Sequence, residues 1–216
     1  MTRYEKAVSV GVSCQPAKQI RTLLGQTEAY FFDWLISPLP AVLCALENNF
    51  SNILQPGNLS YTDDRRIRLR DAANGLEYQH DFPADRDNPD PLLRDVILPD
   101  FASHAAVARD KYARRLQRTN AVIESGTPVL IVRYVNARSD LETGNRRALV
   151  DALHRRYPGA SLGFLWASPL VSGFEQSGDG YVCNLPPSAK WDGCPDGWRK
   201  AFEFCGMLAP LPSTQP

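Results

Sequence analysis

The sequence predicts an α/β fold: a mixed or largely parallel sheet, flanked by helices and carrying an inserted β-hairpin. Three observations lead there. Pro128 to Val135 and Ser161 to Ala167 are nearly continuous apolar runs, the pattern of strands covered on both faces. Arg146 to Tyr157 reads as a helix between them, stopped by Pro158-Gly159, and strand, helix and strand in that order make a parallel βαβ crossover. Ala7 to Val10 reads as a further strand that passes through the turn Gly11 to Cys14 into a helix over Gln15 to Leu24.

The remaining elements follow in chain order. Pro16 suits the first turn of that helix, where no donor is needed, and Gly25 suits its end. Tyr30 to Ile36 is apolar and aromatic around a single acid, Asp33. Ala41 to Phe50 reads as a helix that Asn48-Asn49 and Pro56-Gly57-Asn58 bring to an end. Arg66 to Arg70 and Leu76 to Phe82 are extended runs on either side of Asn74-Gly75, a strong turn signal. They predict a hairpin whose second strand carries His80. Pro83 to Pro99, rich in Pro and Asp, is expected to be a surface loop. Phe101, Ala105, Ala108, Tyr112, Leu116, Thr119 and Ile123 form one stripe at helical spacing, which predicts a helix over Phe101 to Glu124. After Ser168, Gly, Pro and Trp dominate, with a short helix near Trp198 to Cys205. Residues 1–209 are expected to form one α/β domain and 210–216 a frayed tail.

The chain has 216 residues, with 24 Lys+Arg against 24 Asp+Glu. That balance gives no basic excess for nucleic acid or a membrane surface. The apolar start, Ala7 to Val10, is too short for a signal-peptide core, and no window approaches the roughly 18 apolar residues that span a bilayer. A soluble, cytoplasmic protein is expected. Five cysteines, an odd count, leave at least one free thiol and do not suggest a disulfide scaffold. Phosphate-loop, dinucleotide and zinc-helix motifs are absent, so no cofactor and no metal are expected.

Cys14 is the sharpest position. At a helix start the dipole and the unpaired backbone N–H groups favour a thiolate, and the same amides could hold an oxyanion. The alternative is a small residue packing the turn. His80 is a candidate general base, with an ordinary strand histidine as the alternative. Asp33, costly to bury unpaired, is a candidate to orient the imidazole, or else pairs with an arginine or a helix N-terminus. Asn136 is a second candidate for that role. Asp81 is geometrically awkward for it, because strand neighbours point to opposite faces. Arg133 interrupts a buried strand and Arg115 flanks the long helix's stripe. Each either binds an anionic part of the substrate or sits in an internal ion pair.

Several blocks together resemble a bacterial family of papain-like cysteine peptidases: Val8 to Ala17, Phe32-Asp33-Trp34-Leu35-Ile36-Ser37, and His80-Asp81-Phe82. Lys111 to Leu116 and Val129 to Arg133 resemble that family's later blocks, so the likeness spans roughly Lys6 to Arg133. The resemblance implies a thiol hydrolase with Cys14 as nucleophile and His80 as base, either a peptidase or another acyl-transfer enzyme. Gln15 and Trp34, inside the first two blocks, join Arg133 and Arg115 as substrate-binding candidates. The expected partner is a small molecule or peptide bearing an anionic group. Two rival readings stand beside this one: a transferase acting on an activated sugar or phosphorylated donor through its arginines, and a non-catalytic interaction module.

Overall fold

The computed structural model describes residues 4–209; the tail expected over 210–216 lies outside them. The architecture is α/β. Its main sheet has five strands: β1 (Lys6–Ser9), β8 (Val129–Tyr134), β9 (Leu162–Ser168), β11 (Gly180–Asn184) and β10 (Phe174–Ser177), in that spatial order. The first four run parallel and β10 is antiparallel to β11. Period-two alternation splits the strands into two faces. Val8, Val129, Ile131, Phe164 and Trp166 belong to one core, and Ala7, Leu130, Val132, Leu165 and Ala167 to the other. This double burial is why β8 and β9 are apolar at nearly every position.

Helices close both faces. α1 (Gln15–Leu24) and α6 (Pro195–Phe204) cover the second core, with Ile20, Trp198 and Phe202 buried there. α2 (Leu39–Glu47), α3 (Phe101–Ile123) and α5 (Thr143–Arg156) supply the first core's Val42, Ala108, Tyr112, Leu149 and Leu153. α5 makes the expected crossover between β8 and β9, preceded by one turn of helix, α4 (Arg138–Leu141). α1 ends as its sequence requires, at Gly25 with φ +67°.

The inserted hairpin is present, in larger company. Its strands, β4 (Leu69–Asp71) and β5 (Glu77–Tyr78), are shorter than the apolar runs suggested. Together with β2 (Leu35–Ile36) and β3 (Leu59–Tyr61) they form a four-stranded antiparallel sheet, in the order β2-β5-β4-β3. His80 therefore lies two residues beyond β5 rather than within it. The Pro- and Asp-rich loop contains a small strand pair, β6 (Ala84–Asp85) with β7 (Val96–Ile97). Among the described residues no helix is long and apolar enough to cross a membrane.

Candidate active site

Cys14 stands just beyond the carboxyl end of β1, where α/β sheets commonly bind ligands. The turn leading to it is held on both sides. Val12 N–H donates to the Tyr134 carbonyl at 3.2 Å, Tyr134 N–H donates to Gly11 O at 2.8 Å, and Ser37 N–H donates to Val12 O at 2.9 Å. Gly11 has φ +91°, and a Cβ there would overlap the Ser37 hydroxyl, so only glycine lets the two segments meet. Cys14 is then the N-cap of α1, and its carbonyl accepts Lys18 N–H at 3.0 Å. Pro16 has no N–H to offer, and the sulfur makes no capping hydrogen bond.

Cys14 and His80 line one cavity of about 550 Å³, shared with Ser13, Trp34, Ile36, Gln79 and Trp191. Cys14 itself is 9% exposed. Trp34 ends the turn that leads into β2, Ile36 is that strand's second residue, and both line the cavity. Trp34 is also held from α1, whose Arg21 guanidinium lies 5.6 Å from its ring centroid.

Electrostatics overturn one expectation. Burial pushes the Cys14 thiol up to about 11, and the Asp81 and Asp33 carboxylates add to the rise. Its own backbone N–H and the Arg115 guanidinium pull the other way without prevailing. The helix-start amides therefore do not give a resting thiolate, because desolvation outweighs them. Burial also lowers the pKa of His80, against the pull of neighbouring Asp81. Burial thus favours a neutral thiol and a neutral imidazole along the same cavity. Alkylation of Cys14 by iodoacetamide should accordingly rise about tenfold per unit between roughly pH 7 and pH 10, tracking the thiolate fraction. Peptide mapping of the labelled protein checks this, and a plateau already present at neutral pH would show a preformed ion pair.

Behind the cavity lies a buried charge network. The Asp81 side chain is fully covered; Lys111 Nζ and the Tyr112 hydroxyl each donate to it at 2.7 Å. Arg115, 5% exposed, approaches the same carboxylate to 4.0 Å and lies 4.9 Å from the Tyr112 ring centroid. In the bend beyond β5, His80 thus lines the cavity while Asp81 turns inward, onto α3. Asp33 is also buried and accepts Tyr30 N–H at 2.8 Å. Burial raises its carboxyl to about 6, against that hydrogen bond and the nearby Arg115, Arg21 and Arg118.

Other expected site residues lie elsewhere. Arg133 is 1% exposed and both its terminal nitrogens are engaged: Nη1 donates to Val10 O at 2.7 Å and Ser37 O at 3.2 Å, and Nη2 to Asp140 Oδ2 at 2.8 Å. It therefore ties β8 to the Gly11 turn instead of receiving an anion, and its ion-pair partner is Asp140, not Asp33. Arg115 faces the Asp81 network and not the cavity lining. The lining thus offers no arginine to an anionic substrate group. Asn136 is exposed past the end of β8, away from the cavity. Gln15 lines a separate cavity of about 180 Å³ with Tyr134, Leu185, Gly193 and Trp198. Conversely, Ile36, Gln79 and Trp191 were not anticipated. Nothing local in the sequence marks Ile36, Gln79 or Trp191 as lining one cavity.

The model of the family described as "Putative papain-like cysteine peptidase (DUF1796)" matches residues 5–164. That stretch holds Cys14, Trp34, Ile36, Gln79 and His80 and ends before Trp191. No curated protein and no solved structure matches the chain.

Proposed function

The chain belongs to this family of papain-like cysteine peptidases, and on that premise we propose that it is a cysteine-dependent acyl-transfer hydrolase. Cys14 is the nucleophile and His80 the base. The observation that carries this reading is the single cavity lined by both residues.

Because thiol and imidazole rest neutral, proton transfer accompanies attack. The Cys14 sulfur bonds to an acyl carbonyl carbon as His80 takes its proton. The Cys14 N–H, at the positive end of α1, is the local donor for the oxyanion that forms. Collapse expels the leaving group, which takes the proton from His80 and leaves a thioester on Cys14. His80 then deprotonates a water, the thioester is cleaved, and the free acid and thiol are restored. Asp81 is a positioning residue in this scheme: its bonds to Lys111 and Tyr112 fasten the His80 segment to α3.

The test is turnover of activated acyl esters and a peptide panel, with intact-mass detection of an acyl adduct. Cys14→Ala should abolish turnover and the adduct, and His80→Ala should slow acylation by about a hundredfold or more. Turnover that survives Cys14→Ala would overturn the assignment.

A further inference from the structure

One wall of the cavity comes from outside the family-matched stretch. Trp191 lies in the segment between β11 and α6, is 65% exposed, and lines the cavity together with residues supplied by the first half of the chain. Its position is anchored. Gln19, 1% exposed on α1, donates through Nε2 to the Asp192 carbonyl at 2.6 Å. The next residue, Gly193, has φ +82° and packs so closely on the Gln15 amide that a Cβ would collide with it. Gln15 and Gln19 are one turn apart on the helix that Cys14 caps. The same helix therefore presents the sulfur at its tip and grips the loop that carries Trp191.

An exposed indole offers a flat apolar face, and aromatic faces favour flat partners. Here Trp191 is joined by Trp34, whose other support is the Arg21 guanidinium, and by Ile36. The lining is neutral, two indoles and a branched aliphatic chain beside the amide of Gln79. Such a lining gains from excluding water from a planar apolar group and offers a carboxylate or phosphate no cation.

We propose that Trp191 is a specificity-determining residue, forming with Trp34 and Ile36 a subsite that takes a planar aromatic group next to the carbonyl attacked by Cys14. This deepens the reading of Cys14 as nucleophile and rests on it. Gln15 and Gln19 are positioning residues that hold the Trp191 loop in place.

The experiment compares two alkylating reagents on the full chain: chloroacetamide and N-(1-naphthylmethyl)chloroacetamide. In both, the Cys14 sulfur bonds to the methylene carbon and chloride leaves. Rates at Cys14 are followed by peptide mapping and divided by each reagent's rate with glutathione. The naphthyl reagent should react about tenfold faster with the unaltered protein. Trp191→Ala should bring the corrected rates of the two reagents together, and Trp191→Phe should keep most of the preference. Equal corrected rates in the unaltered protein, or a preference that survives Trp191→Ala, would overturn the subsite. Failure of the catalytic reading shows separately, as acyl turnover that persists in Cys14→Ala.

Discussion

Asp81→Ala is expected to lower the free energy of unfolding by about 3–5 kcal/mol, the cost of stranding a buried charge after its partner is removed. The stranded group is Arg115, whose side chain is 6% exposed and whose approach to Asp81 is 4.0 Å. The Tyr112 hydroxyl also loses its acceptor, and a buried hydroxyl without one is itself destabilising. Lys111 adds little, since its side chain is 39% exposed and can turn to water. Denaturant titration of the purified variant reads the loss. Asp81→Asn, which keeps an acceptor for Tyr112 but not the charge, should fall between the two. A loss below about 1 kcal/mol for Asp81→Ala would show that other groups compensate Arg115.

Asp33→Asn is expected to act in the opposite direction. The native carboxyl titrates at about 6, against an ordinary value of 3.8, chiefly because it is buried. The native chain therefore holds this proton more tightly than the unfolded chain does. Asp33 imposes no penalty below about pH 4, a growing one as pH rises toward 6, and above that a full one of about 3 kcal/mol. Asparagine keeps an oxygen for Tyr30 N–H and carries no charge to desolvate. Asp33→Asn should therefore melt several degrees higher than the unaltered protein at pH 8 and show no difference at pH 4. Thermal unfolding at the two pH values checks it; equal melting temperatures at pH 8 would mean that Arg115, Arg21 and Arg118 fully compensate the anion.

These two acids also show how far the sequence could be read. Local signals were clear where one element decides its own structure. β8 and β9 declared burial on both faces, the Pro16–Gly25 pair bounded α1, and the Phe101 to Ile123 stripe wrote out α3. His80 and Asp81 do face apart, but in a bend beyond β5 rather than by strand alternation. Legibility ended where distant segments decide. Asp81 finds its partners 30 and 31 positions later, on α3. Nothing near Arg133 names Asp140 or the Val10 and Ser37 carbonyls as the groups its fork satisfies. The strands of the second sheet are two or three residues long, too short for a periodic signal, and exist because they pair with one another. The ionisation of Cys14 was misjudged for a related reason. Position at a helix start is visible in sequence, whereas burial depends on what the rest of the chain lays over the sulfur.

The parallel pairing of β11 with β9 has a practical consequence for anyone trimming the protein. A fragment stopped at the end of the family-matched stretch would cut through β9 and leave its outer edge without β11. It would also strip Ile20, Leu130 and Val132 of the α6 side chains Trp198 and Phe202 that roof them. Bare strand edges and uncovered oily faces are templates for clumping. The last quarter of the chain is thus as much a keel as a lid, and expression boundaries belong beyond Cys205.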